Sequence, residues 1–435
     1  MISLLRRNAD FRSLFLAQIV SFAGDWFATV AMLGLVIDRT GSNVAATAVF
    51  VVQTLPAFAL SPLAGPAADR FDRRRLMVVV SILQAGAAAL FLVASHGPIV
   101  FAFVAQGLIA ALGTFFFPAS QAALPNLVEP EDLPLATVML SSTWGAMLAV
   151  GAALGGVFTL AFGRDAAFVA NAASFLVAAA LVGSLRRATQ KSAPESVRGR
   201  MRPLADTVET ICYARNQPVV AALLGSKFGF GLGGGAVGML ALLATGPFHA
   251  GDGGTGLLLG ARGLGVLAGP FVARRLLWRS DSEAAGVWGA PRDDRRSQIS
   301  SILLACGVAG LVYGAGYVIV ATAPMLAVAA VGVLVAHLGG GAQWTLSTYG
   351  LQAATPDHIR GRVFAADFAL VTVTMSLSLV AAGALADVTG PRVPTLVLAG
   401  VSTIWGAGYL ALTRRLRTTP VLTSGEAAPD GPSAF

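Results

Sequence analysis

The feature that most constrains this chain is a succession of about twelve apolar runs of ~20 residues, each long enough to cross ~30 Å of hydrocarbon. Lipid offers no partner for backbone N–H and C=O groups, so runs of this length satisfy themselves as helices. Only 12% of the 435 residues are charged and 55% are hydrophobic, with mean hydropathy +0.73, which excludes an ordinary soluble domain. The 50 glycines spread through the apolar stretches suit closely packed membrane helices. Cys212 and Cys306 imply no disulfide framework, and neither a metal site nor a cofactor is expected. The net charge of +8 is dispersed over short loops, which reads as a topology signal and not as a nucleic-acid surface. The first run is too long for a signal peptide and is expected to remain as a span.

The runs fall at about 14–37, 45–68, 76–94, 99–123, 135–162, 166–185, 219–244, 256–277, 299–320, 325–349, 363–386 and 394–412. The longest basic connection separates the sixth from the seventh. Within it Leu204, Val208 and Ile211 recur at helical spacing, the pattern of an amphipathic helix lying on the membrane. The expected organisation is therefore a first six-helix half (1–185), a cytoplasmic linker with that helix (186–217), a second six-helix half (218–417) and a disordered tail (418–435). The polar loop Trp278–Gln298 is expected to be flexible. Of the 30 arginines and lysines, only Arg39, Arg164 and Arg392 fall outside if the N-terminus is cytoplasmic, with Lys227 and Arg262 inside the membrane. That bias places both termini in the cytoplasm.

Between the second and third runs lies SPLAGPAADRFDRRR (Ser61–Arg75), a carboxylate and a basic cluster compressed into a short turn. LAGP (Leu63–Pro66), which closes the second run, returns at Leu267–Pro270, closing the eighth. QAALP (Gln121–Pro125), which closes the fourth, returns as QAATP (Gln352–Pro356), closing the tenth. Two landmarks repeated in order at matching points imply parallel repeats.

The turn resembles the signature G-x-x-x-D-R-x-G-R-R of the major facilitator superfamily through Gly65, Asp69, Arg70, Arg73 and Arg74, with Asp72 where glycine is usual. RGRVF (Arg360–Phe364) and NAASF (Asn171–Phe175) are similar to the siderophore-exporter and macrolide-type efflux branch. Gln106-Gly107 follows Phe103 where that family often has arginine, and GAALGG (Gly151–Gly156) carries Ala152 in place of the proline of the helix 5 antiporter pattern. The resemblance covers nearly all of the membrane portion. It implies an all-α membrane protein of twelve transmembrane helices in two six-helix pseudo-repeats. Helices 1, 4, 7 and 10 would line a central cavity, and helices 2 with 11 and 5 with 8 would pack across the halves.

Under that packing, Asp69 would face Arg360 and Arg362 at the start of helix 11, with Asp367 one turn further in, as a cytoplasmic latch. A second latch of opposite polarity would set Arg274 and Arg275 against Glu129, Glu131 and Asp132. The alternative is solvated loops, each pair worth ~0–1 kcal/mol. Asp25, deep in the first span, costs ~2.5–3.5 kcal/mol on insertion scales and needs a cavity or a partner. It is either the proton-coupling group or a static partner of Lys227 or Arg262. Lys227 either pairs with Asp25 or snorkels towards the cytoplasm. His337 and Arg262 are the other cavity candidates, a packed histidine being the alternative for the first.

Gly229, Gly231 and Gly234 fit G-x-G-x-x-G, but no strand precedes them, and Gly225, Gly229 and Gly233 form a small-residue seam instead. There is no G-x-x-x-x-G-K-[ST], no H-E-x-x-H and no G-x-S-x-G, so neither ATP nor an enzyme constellation is indicated. The resemblance implies a monomeric secondary transporter in the plasma or inner membrane. It would export small, largely apolar organic compounds in exchange for protons. Same-fold uptake, lipid movement between leaflets and a non-transporting receptor are the alternatives.

Overall fold

The computed structural model describes residues 2–189, 213, 215–277, 295–355 and 357–418. Gly65, Asp69, Arg70, Arg274, Arg360 and Arg362 are described as helical backbone only. The expected interfacial helix at Leu204–Ile211, the loop between Trp278 and Asp294, and the tail after Thr418 lie outside the described residues.

Twelve helices are long and apolar enough to cross a membrane, and there is no strand among the described residues. They are α1 (Ala9–Thr40), α2 (Asn43–Arg70), α3 (Arg73–His96), α4 (Val100–Leu127), α5 (Leu133–Phe162), α6 (Arg164–Gly183), α7 (Pro218–Gly234 and its continuation), α8 (Gly251–Leu277), α9 (Arg295–Thr322), α10 (Leu326–Ala354), α11 (Asp357–Thr389) and α12 (Arg392–Leu412). Side-chain caps start several of them. Asn8 accepts from the Phe11 N–H at 2.9 Å, Ser42 from Ala45 at 3.2 Å and Asp72 from Arg75 at 2.8 Å. Asp72, which departs from the family signature, is thus the N-cap of α3. Gly41 ends α1 at φ 61°, a left-handed conformation that glycine adopts without strain.

Packing follows membrane logic, with small and weakly polar residues inside and large aliphatic ones towards lipid. In α12, Thr395, Ala399, Ser402 and Gly406 are buried while Leu396, Val397, Ile404 and Leu412 are exposed. Within the first six helices α1 packs on α5 and α6, α3 on α4 and α6, and α2 on α4. Within the last six α9 packs on α10 and α12, α8 on α10, and α7 on α11. The two sixes meet through α5 with α8 and α2 with α11, the pairing the resemblance implies.

The span expected to be a single helix 7 is broken. A 3-10 turn, Gly235–Gly238, separates Pro218–Gly234 from Met239–Thr245. The run of glycines has low helix propensity, and Ser378 of α11 satisfies the interrupted backbone. Its hydroxyl donates to the Leu232 carbonyl at 2.5 Å and accepts from the Gly235 N–H at 3.2 Å.

Among the described residues, close contact between the sixes is found at one end. On α5 and α8, a Cβ built on Gly256 would sit 2.6 Å from the Gly156 Cα and 2.7 Å from the Ala152 carbonyl. The seam continues through Gly260 against Ala153 and Gly263 against Ala149. One turn on, towards the membrane face that holds the N-terminus, Gly145 has nothing within 4 Å. At the opposite, distal face, Gly383 of α11 packs on Val44 of α2, and the Asn43 N–H donates to Asp387 Oδ1 at 2.7 Å. The halves are therefore closed at the distal face.

Candidate functional site

Asp25 lies sixteen residues into α1, close to the middle of that 32-residue helix. It is half-buried, with no ion pair and no side-chain hydrogen bond among the described residues. Its neighbours lock α1 in place. Trp26 is buried, and a Cβ on Gly24 would lie 2.9 Å from Asn171 Oδ1 of α6. Neither static partnership expected for Asp25 is present among the described residues: Lys227 pairs with Asp367, and Arg262 forms no ion pair.

Lys227 is fully buried, 3.3 Å from Asp367 Oδ2. It donates to Thr348 Oγ1 at 3.1 Å, and its ammonium stands 3.7 Å above the Trp344 ring centroid. This corrects two expectations. Lys227 neither pairs with Asp25 nor snorkels, and Asp367 belongs to this pair and not to a latch. The reason is depth: α11 begins at Asp357, so Asp367 is ten residues in, about 15 Å along the axis. The second carboxylate oxygen of Asp367 has no hydrogen-bond partner.

Arg262 of α8 is half-buried, forms no ion pair among the described residues, and its buried Nε has no hydrogen-bond partner. Around it stand Tyr313 and Tyr317 of α9, whose buried hydroxyls have no partner but each other, and His337 of α10. The rings of Tyr313 and Tyr317 are 4.9 Å apart and both meet His337 edge-on, at 5.4 and 5.8 Å. His337 Nδ1 donates to the Val333 carbonyl at 3.0 Å, so the histidine is packed and oriented by its own helix.

α5 gives these groups a common ruler. Gly151 and Gly155 approach Ala23 and Phe27, which bracket Asp25, while Ala149 and Ala153 approach Gly260 and Gly263, which bracket Arg262. The unpaired carboxylate and the unpaired guanidinium therefore lie within about one helical turn of each other in depth, on different sixes.

Among the described side chains the second latch is not formed. Glu129 pairs with Arg187 at 3.0 Å and Asp132 with Arg7, both within the first six helices. Glu131 and Arg275 are exposed without an ion pair among the described residues, and the Arg274 side chain lies outside them. Arg7, just before α1, and Arg187, just after α6, supply the cations that these acidic residues hold. Arg73 and Arg74 also act within their own six, donating to the carbonyls of Ala122 (2.7 Å) and Gly183. The side chains of the remaining first-latch residues, Asp69, Arg70, Arg360 and Arg362, lie outside the described residues.

One cluster escaped the sequence reading. At the distal face Arg164 of α6 makes a two-pronged contact with Asp252 of α8, Nε to Oδ2 at 2.8 Å and Nη2 to Oδ1 at 3.3 Å. Its Nη1 reaches Asp38 of α1 at 2.7 Å. Gly34 leaves the room, because a Cβ there would overlap Asp252 Oδ1. Counted only as an outside charge, Arg164 in fact ties the two sixes together. The signal available was the placing of Asp38, Arg164 and Asp252 at the same ends of their spans.

The family model described as transmembrane secretion effector (MFS_3) matches residues 3–427. The chain is 25% identical over 414 residues to the multidrug efflux pump Tap of Mycolicibacterium fortuitum, covering 88% of this chain and 90% of that one. It is 24% identical over 276 residues to the uncharacterized MFS-type transporter YkuC of Bacillus subtilis, 61% of this chain and 64% of the relative. With YfiS of the same organism the shares are 50% and 52%, so the chain spans less than two thirds of either Bacillus relative. Among solved structures, a bacterial homolog of the human lysosomal transporter Spinster, in an inward-facing and unoccupied conformation, aligns with TM-score 0.68 at 14% identity. That alignment covers 95% of this chain and 98% of that one. A peptide transporter POT mutant aligns with TM-score 0.72 at 10% identity over 94% and 95% of the two chains. At these identities the structures speak to the fold alone.

Proposed function

Because the chain belongs to the transmembrane secretion effector family of the major facilitator superfamily, we propose that it is a secondary active transporter that exports small, largely apolar organic compounds. Export proceeds by alternating access in exchange for protons, with the chain acting as a monomer and both termini in the cytoplasm. The observation that carries the reading is the closure of the distal face. The α5–α8 seam and the Arg164–Asp252 contact hold that face shut, and one turn beyond the seam, towards the amino-terminal face, Gly145 meets nothing within 4 Å. With the positive-inside bias, this is the state that loads substrate from the cytoplasm.

Asp25 is the proton carrier in this reading. A carboxylate near the middle of the membrane with no protein partner is costly when charged and readily neutralised, so it can take a proton on one side and release it on the other. Pairing Lys227 with Asp367 removes the nearest competing roles for that lysine. Asp69 with Arg360 and Arg362 forms the cytoplasmic latch of the opposite, outward-facing state. Its test is charge reversal: Asp69→Arg should impair transport, and adding Arg362→Asp should restore it.

The direct assay is dye and drug accumulation in efflux-deficient cells, with and without a protonophore. Lower accumulation that the protonophore abolishes is the expected result. Accumulation raised above that of control cells would mean uptake and would overturn the export reading.

A further inference from the structure

We propose that Arg262, with Tyr313 and Tyr317, forms a receptor for an acidic group, carboxylate or phosphate, carried on the apolar body of the transported compound. The inference rests on the transport reading above and adds the substrate's chemistry to it.

A guanidinium near the membrane midplane is retained at considerable cost and normally pairs with a carboxylate. Lys227, the other cation deep in the described membrane region, holds Asp367, and half-buried Arg164 at the distal face holds Asp252 and Asp38. Arg262 has none. Its Nε is buried without a partner, and the two buried tyrosine hydroxyls beside it have only each other. Buried donors are ordinarily satisfied, so an unpaired guanidinium beside two hydroxyls that reach no acceptor but each other marks a site completed by something outside the chain. All three can donate, and an anion accepts from all three. A guanidinium also matches a carboxylate or phosphate through paired N–H groups.

The surrounding structure fixes that geometry. α8 is pressed against α10 at Gly265, where a Cβ would lie 2.6 Å from the Leu334 carbonyl. This holds Arg262, one turn away, on the face towards α9 and α10. His337 cannot supply the missing acceptor through Nδ1, which already donates to Val333. Asp25, though within about a turn in depth, is not paired with Arg262. Next to the orphaned donors the wall is aromatic, with Phe230 5.9 Å from Tyr313 and 5.8 Å from Trp344. An acid head on an apolar body fits this combination, and either a free organic acid or a lipid with a phosphate head could present it.

The test is equilibrium binding to the purified full chain in nanodiscs. The probes are matched acids and methyl esters of naphthyl and fatty-acyl compounds, with lysophosphatidic acid as the lipid arm. The wild type should bind acids about tenfold or more tightly than their esters, the scale of one charged hydrogen-bonded contact. Arg262→Gln should erase that preference while leaving ester binding unchanged. Should Arg262→Gln fail to fold, the double variant Tyr313→Phe/Tyr317→Phe, which keeps the cation and the packing, should weaken acids several-fold and spare esters. Selective binding of lysophosphatidic acid would assign the site to a lipid, and selective binding of the small acids to a free organic acid. Equal affinity for acid and ester across the panel, or a preference that survives Arg262→Gln, overturns the proposal. Binding is read without transport, so the two readings separate. Acids that bind selectively but are never exported sink the exporter, whereas neutral compounds exported with no acid preference sink the receptor.

Discussion

Replacing Arg164 by glutamine should open the distal face. Arg164 makes two charge-assisted contacts to Asp252 across the halves and one to Asp38 within its own six, and its side chain is 25% exposed. Asp252 is 12% exposed, so the cross-half pair is only partly screened, whereas Asp38 at 59% is largely solvated. The 2.8 Å bond dominates, the 3.3 Å bond adds little, and together they stabilise the closed distal face by about 1.5–2 kcal/mol. Losing that shifts the open-to-closed ratio by about 10- to 30-fold. A readout is Thr47, which is fully buried in the seam where α2 meets Gly238 and Gly383. In a Cys212→Ser/Cys306→Ser background, Thr47→Cys should react with a membrane-impermeant thiol reagent about tenfold faster or more when Arg164→Gln is added. Asp252→Asn should act similarly, and Asp38→Asn much less, because that bond does not cross between the sixes. A labelling rate within twofold of the parent for Arg164→Gln, or an effect of Asp38→Asn equal to that of Asp252→Asn, would refute the reasoning.

Three further outcomes follow from the packing. Gly256→Leu inserts a side chain where even a Cβ meets the Gly156 Cα at 2.6 Å, so the distal face cannot close; substrate efflux should be lost while membrane expression persists. Lys227→Met strands Asp367 in a buried site and should destabilise the detergent-solubilised protein by about 3–5 kcal/mol, seen as a lower melting temperature. Adding Asp367→Leu should recover most of that loss, and strictly additive damage would show that the two side chains are not coupled.

Much of the architecture was legible because lipid leaves the backbone so few options. Twelve spans and a midmembrane Asp25 follow from run length, whereas the α5–α8 and α2–α11 pairings came from the family resemblance that the signature turn carries. Of the glycine seam in α7, Gly229 and Gly233 do receive Trp405 and Ser402 of α12, whereas Gly225 is open. Charge partners were less legible, because a span boundary read from hydropathy ignores polar turns that stay helical. α11 starts at Asp357, six residues before the apolar run, and that offset moved Asp367 from the membrane surface to the depth of Lys227. The acidic loop Pro125–Pro134 was read against cations of the other half, yet Arg7, just before α1, and Arg187, just after α6, pair with it. The break at Gly235–Gly238 depends on Ser378, which comes from a different helix and leaves no local trace.

The most direct test of the account is substrate movement in proteoliposomes under an imposed pH gradient, comparing wild type with Asp25→Asn. The wild type should concentrate an exported dye or drug against its own gradient as protons move the other way. Asp25→Asn, isosteric but unable to titrate, should still exchange substrate down its gradient and should no longer concentrate it. If Asp25→Asn concentrates substrate at the wild-type rate, the proton is carried elsewhere. If the wild type is indifferent to the pH gradient, proton exchange is not its driving force.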